Sequence, residues 1–286
     1  MRNAAYLREL SPNGLARAAW LLAVVILPIV GCAIIDTAEP IATGKPALPP
    51  IVPPQDAIEL EVYFIDRPRG DSLIGDALWN EVDQISVVEP GIRSQLNDDG
   101  IRFGVAPSSP PFALQALLDL QPYGSAAHRR VGRRYAIGSG TETELIASTL
   151  NETCHLELNL PDGPRTREYE TPSCVFRVRA ERVQDGWARL EFLPEIHHGA
   201  MRMRPVATDH DWQYRGSQEV DPLYSHRFTV ELNVGEYIVV GTNREYGPLL
   251  GDYFFRDGKE DNKTERLLVV RLADMQRVEP VRESKP

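Results

Sequence analysis

Six histidines, three cysteines and one dense run of arginines are the side chains whose types and spacing invite chemistry in this sequence. His197 and His198 are adjacent, so on a strand they point to opposite faces and cannot both ligate one ion. Glu195 and His197 would share a face, with His210 and Asp211 arriving from the following stretch. A carboxylate beside an imidazole suits general base work or part of a zinc site. Zinc needs three or four converging ligands, and nothing in this spacing demands them, so solvent-facing loop histidines are the plain alternative. Glu195, His197 and His210 are the group a hydrolase would use.

Other nucleophile patterns fall short. Gly138-Ser139-Gly140 lacks the wider G-x-S-x-G elbow and sits where a β-turn is expected, and no Walker loop or dinucleotide fingerprint occurs. No catalytic residue, metal or cofactor is therefore expected. Cys154 and Cys174 flank a hairpin that turns at Asp162-Gly163. In an oxidising compartment a disulfide between them would close its open end and stabilise by roughly 3 kcal/mol; two buried thiols are the alternative. Arg129, Arg130, Arg133 and Arg134, next to His128, form the one dense basic cluster. They suit anionic lipid headgroups, or else one solvated strand face answering acidic groups elsewhere. Arg69-Gly70-Asp71 spells an adhesion tripeptide, but it reads as a turn into a helix with Asp71 as cap.

The elements that must position these residues follow from periodicity. Alternation over 58–65 (IELEVYFI) predicts a strand with one buried face, ended at Arg67-Pro68. Leu73, Ile74, Ala77, Leu78 and Val82 fall on one side of a helix starting at Asp71 or Ser72, and a second helix follows Pro90 and stops at Gly100. A strand at 101–105 and a helix at 111–120 complete a small α+β unit at 58–122. After Tyr123 the pattern becomes β. Strands are expected at 131–137, 144–150, 155–160, 165–170, 174–183, 187–193, 227–234, 237–241 and 266–272, joined by short turns and therefore antiparallel. The fold class is α+β: the small unit at 58–122, then a mainly antiparallel β domain at 123–275. Residues 238–240 and 267–270 stand as core or as a pairing surface. A charged tail at 276–286 is expected to be flexible.

Charge excludes one class of partner. The chain has 31 lysines and arginines against 41 aspartates and glutamates. Nucleic acid draws affinity from cations, so none is expected as a ligand.

Residues 1–31 place Arg2, Arg8 and Arg17 before an apolar run at 18–30 that is too short to span a bilayer. Gly31-Cys32 follows, and the whole resembles the signal and lipobox of bacterial lipoproteins. That resemblance implies cleavage after Gly31 and lipidation of Cys32, leaving the membrane as a partner. Removing three arginines and one glutamate takes the net charge from −10 to −12. Acyl chains contribute about 0.8 kcal/mol per buried methylene, so two or three hold firmly. Ala33 in place of Asp implies the outer membrane, facing the periplasm. Pro40, Pro46, Pro49, Pro50, Pro53 and Pro54 make 32–57 a lipidated, proline-rich linker in extended states.

Four segments resemble, in order, the C-terminal part of the bacterial secretin domain. They are 186–196 (GWARLEFLPEI), 234–241 (VGEYIVVG), 248–255 (PLLGDYFF) and 264–272 (TERLLVVRL). Gly241 is followed by Thr242 where the family has a second glycine. The resemblance, over 174–272, implies a secretin-like β domain and an envelope location. The resulting expectation is a noncatalytic lipid-anchored envelope protein serving assembly or partner binding, as homo-oligomer or with another envelope protein. The alternatives are a pore-forming secretin-type channel subunit and an envelope hydrolase using the Glu/His group.

Overall fold

The computed structural model describes residues 55–119, 129–160, 163–207, 212–243, 249–256 and 264–278. Cys32, the apolar run 18–30, His128, His210 and most of the linker lie outside them.

Local chemistry sets the first elements. Strand β1 (Gln55–Pro68) ends at a proline, which has no N–H to give a ladder. Asp71 then accepts from Leu73 N at 2.8 Å and starts a 3-10 turn (Ser72–Ile74), followed by the one-turn helix α1 (Asp76–Trp79). The single helix expected here is divided because Gly75, at φ −94° and ψ −138°, leaves helical backbone geometry. Helix α2 (Pro90–Asp98) begins on its proline and is ended by Gly100 at φ +81°, a left-handed position that favours glycine. Strand β2 (Ile101–Ala106) and helix α3 (Phe112–Leu118) follow.

The rest is mostly antiparallel strand: β3 (Arg129–Gly138), β4 (Glu142–Thr149), β5 (Cys154–Leu160), β6 (Gly163–Tyr169), β7 (Ser173–Gln184), β8 (Trp187–Ala207), β9 (Trp212–Pro222), β10 (Phe228–Asn233), β11 (Tyr237–Thr242) and β12 (Thr264–Val278). A 3-10 turn (Tyr224–His226) precedes β10, and helix α4 (Leu250–Phe255) precedes β12. One sheet has the order β2-β11-β12-β1-β3, a second β10-β8-β7-β4 with β9 also on β8, and β5-β6 is a separate hairpin. All of these pairings are antiparallel.

The sheet order bears on the expected division at residue 122. Strands β1 and β2 are in one sheet with β3, β11 and β12, so the boundary between 58–122 and 123–275 falls inside a shared sheet. The reason is pairing at a distance: β1 lies between β12 and β3, in register from Gln55 opposite Val278 to Pro68 opposite Thr264. Residues 276–278, expected in a flexible tail, are therefore part of a ladder.

Two cores flank the first sheet. Between the sheets lie Leu60, Val62, Ile238, Val240, Leu268 and Val270 from one side and Leu145, Phe176, Val178, Leu190 and Phe192 from the other. Phenylalanines run through this layer: Phe103 stacks on Phe228 at 5.3 Å, Phe228 on Phe192 at 5.0 Å, and Phe176 meets Phe254 of α4 at 4.7 Å. On the opposite face Tyr237, Val239, Leu267 and Val269 pack under Leu78, Trp79, Leu114 and Leu117. Burial on both faces explains why β11 and β12 read as continuous apolar runs instead of alternating. Residues 238–240 and 267–270 are thus core.

Strand β8 departs most from expectation. It runs for 21 residues, well past the expected 187–193, and pairs with β9, which was not expected as a strand. Pro194 and Gly199 interrupt the apolar alternation in sequence. In the ladder Pro194 simply stands opposite Phe176, and Gly199, at φ +73°, sits in a bulge between His198 and Arg202.

Candidate functional site

The four arginines singled out from sequence are all on β3, at the edge of the first sheet and beside β1. The β1 register decides what they meet. Arg134 stands opposite Glu61 and bonds it at 2.5 Å, with Glu59 at 3.9 Å. Arg129 stands opposite Asp66 and bonds it at 3.1 Å. Arg130 lies over the Tyr63 ring, 5.2 Å from its centroid, while Arg133 is exposed opposite Val62. Arg266 and Arg271 reach the same carboxylates from β12: Arg266 grips Asp66 at 2.6 and 3.2 Å, and Arg271 meets Glu61 at 3.2 Å. Burial works to raise the Glu61 carboxyl, but hydrogen bonds from Arg134, Arg271 and Tyr63 outweigh it and hold Glu61 below its ordinary value. Three of the four arginines thus answer β1 groups, the arrangement of an ion-paired strand face. Charged side chains on an exposed edge also discourage unwanted strand pairing.

Glu195 and His197 share a face of β8, as alternation requires, and His197 Nε2 is 3.0 Å from Glu195 Oε2. Glu195 is fully buried, with Arg177 Nη2 of neighbouring β7 at 2.9 and 3.1 Å from its two oxygens. A buried carboxylate held by a guanidinium and an imidazole is a charge-compensated structural group, its hydrogen bonds falling on Oε2 while the buried Oε1 makes none. His198 points the other way, its ring 4.9 Å from Tyr169. Among the described residues, no three His, Cys, Asp or Glu side chains converge in a way that would hold a metal.

Cys154 opens β5 and Cys174 lies in β7, opposite Ile196; both are buried thiols. Burial pushes the Cys154 thiol up to about 11, so at neutral pH it carries little thiolate, the reactive form.

Three further groupings were not expected from the sequence, and in the first the members are 127 positions apart. Asp99 and His226, both fully buried, meet at 2.5 Å between Oδ2 and Nε2. Arg256 lies between Asp252 at 2.8 Å and Glu265 at 2.9 Å; burial raises the Glu265 carboxyl against the lowering pull of that arginine. Arg256 and Glu265 border a cleft of about 420 Å³ that also receives Arg69, Asp71, Trp79 and Arg102, with the Arg102 guanidinium 4.7 Å from the Trp79 ring centroid. A hollow of about 550 Å³ beside β6 and β8 is lined by Glu168, Glu170, His198, Arg202 and Glu219.

No protein-family model matches the chain, and no curated protein matches it. Among solved structures, the V. cholerae type IV competence pilus secretin PilQ aligns with 80% of this chain and 62% of its own, at 11% identity and a TM-score of 0.23. The Klebsiella pneumoniae type II secretion outer-membrane complex of PulD, PulS and the PulC HR domain aligns with 77% of this chain and 38% of that one, at 14% identity and a TM-score of 0.19. The chain spans less than two thirds of either. The structural resemblance to secretins is weak, and TM-scores at this level do not establish a common fold.

Proposed function

We propose that this chain is a noncatalytic lipoprotein of the bacterial cell envelope, anchored through Cys32. In this reading its β domain, secretin-like in its motifs, serves assembly or partner binding at a membrane surface. The observation that carries the proposal is the order of parts in the sequence: Arg2, Arg8 and Arg17, the apolar run 18–30, Gly31-Cys32, then a proline-rich spacer. A proline-rich spacer gives an acidic, mainly β body the reach to bind at the membrane surface. The side chains best suited to catalysis support the noncatalytic part. Glu195 is engaged by Arg177 and His197, and Arg129 and Arg134 of β3 are turned to β1 carboxylates. Ala33 after the cysteine favours the outer membrane, with the body in the periplasm.

The test is a Cys32→Ser chain expressed in a Gram-negative cell. It should leave the membrane fraction with its circular dichroism unchanged, and retention in that fraction would overturn the anchor. Self-assembly is read from sedimentation of the protein across a wide concentration range, where a persistent monomer leaves another envelope protein as the partner. A change in a hydrolytic activity on His197→Ala would restore the enzyme reading.

A further inference from the structure

Past His198 the β8–β9 pair runs on without the rest of its sheet. Pairing between β7 and β8 ends at Ser173 opposite His197. From Arg202 to Ala207, β9 is the strand that pairs with β8, and among the described residues no third strand joins them. Residues opposite one another in an antiparallel pair share a face. Met203 stands opposite Gly216, and Tyr214 follows two residues earlier on the same strand, hence on the same side. Met201 belongs there too: a Cβ at Gly216 would meet Met201 Sδ at 2.9 Å and Met203 Sδ at 3.8 Å. Gly216 therefore leaves the room in which the two thioethers lie. Met201, Met203 and Tyr214 are 73%, 67% and 70% exposed. Arg202 stands opposite Ser217 on the other face and lines the polar hollow with Glu168 and Glu219. At the described side chains, Met201, Met203 and Tyr214 make one face apolar and Arg202 lies on the other.

We propose that this apolar face is a membrane-contact surface that lies flat in the headgroup region of a phospholipid bilayer; the proposal rests on the lipid-anchored reading above. Area argues for a bilayer and against a second protein. Three such side chains offer roughly 400 Å², about half of what one partner contributes to a stable protein interface. A chain already tethered needs little further affinity, because the second contact is effectively intramolecular.

Register keeps charge out of the contact: Arg202 stands opposite Ser217 and Arg204 opposite Arg215, on the face away from Met203. Residue chemistry agrees: methionine adapts to irregular apolar surroundings, and tyrosine keeps its hydroxyl at headgroup level. The same features exclude crossing. A two-stranded ribbon with open edges would carry unpaired backbone N–H and C=O groups into hydrocarbon, and Asp209 and Asp211 stand in its connection.

The test uses the whole chain on phosphatidylethanolamine–phosphatidylglycerol vesicles. A nitroxide is attached at Met203→Cys or, in a separate protein, at Arg202→Cys, and the unsubstituted chain gives the background from native cysteines. Adding vesicles should raise the ratio of oxygen to nickel-chelate collisions severalfold at 203 and leave it unchanged at 202. If the chain sediments with vesicles while 203 stays as accessible to the chelate as in buffer, the membrane contact is refuted and the anchor stands. A chain that does not sediment with vesicles refutes the anchored reading and this proposal with it. Spin–spin broadening at 203 that grows with protein concentration in the absence of lipid assigns the face to a second copy, and that too overturns the proposal.

Discussion

At the scale of single residues, the fold is fixed by polar groups buried far from their sequence neighbours. Asp99 accepts from Asn159 N at 2.9 Å and from its Nδ2 at 2.8 Å, while its other oxygen meets His226, whose Nδ1 is 3.0 Å from Ser225 Oγ. Removing one partner leaves the other buried without compensation, which costs about 3–5 kcal/mol for a buried charged pair. His226→Ala should lower the free energy of unfolding in urea by about 3 kcal/mol, and Asp99→Ala combined with it should cost clearly less than the two single changes together. Gly251 packs on the same node: a Cβ there would lie 2.0 Å from the carbonyl oxygen of Gly100. Backbone cannot yield as a side chain does, so Gly251→Ala should destabilise by about 3 kcal/mol or more, read as a fall in melting temperature. Glu61 sets a pH dependence. Its folded pKa lies below the ordinary 4.5, so its contribution is fully present above that value and is lost as pH falls through the folded one. Urea midpoints measured from about pH 6 to pH 3 should fall, and Glu61→Gln should flatten the acid limb. Little of this was legible, because partners such as Arg266 and Asp66 are 200 positions apart. The exception was Asp71, whose role as a cap depends on a residue only two positions away.

At the scale of elements, what sequence discloses depends on how local the cause is. Strand β1 alternates because its residues face different surroundings, and Gly100 ends α2 because its backbone geometry excludes most other residues. The turn at 185–186 is equally local, and the strands on either side of it were expected. By contrast, α4 has six residues, too few to display a helical period, and is held by its packing against Phe176. Strand β9 gives no apolar alternation because one face of the ribbon is polar and Gly216 occupies a position on the other. Its root is fixed by Asp221, which accepts from Tyr169 at 2.6 Å and from Arg167 of β6. Asp221→Ala should loosen that root, with amide exchange across 195–222 rising about tenfold, equivalent to about 1.4 kcal/mol of local opening, while amides in β11 and β12 keep their protection. Equal acceleration in β11 would show that the ribbon and the sheets open as one unit.

At the scale of the whole molecule, the first and last described strands are neighbours, so 58–122 cannot complete its sheet without the C-terminal strands. The sequence order of an α+β stretch followed by β strands was legible; their interleaving was not, since pairing partners across some 200 residues leave no local mark. Around this body, Arg129, Arg130, Arg134, Glu195 and His197 have structural partners and Cys154 and Cys174 lie buried, whereas an exposed apolar face is on the β8–β9 ribbon. Function in this account comes from location: a binding body held at a membrane, with the tether at Cys32 as its central claim. Mass analysis of the N-terminal peptide of protein purified from a Gram-negative envelope tests that claim most directly. The account predicts a chain that begins at Cys32 and carries a diacylglycerol on its sulfur. A chain that retains residues 1–31, or begins elsewhere with Cys32 unmodified, would contradict it.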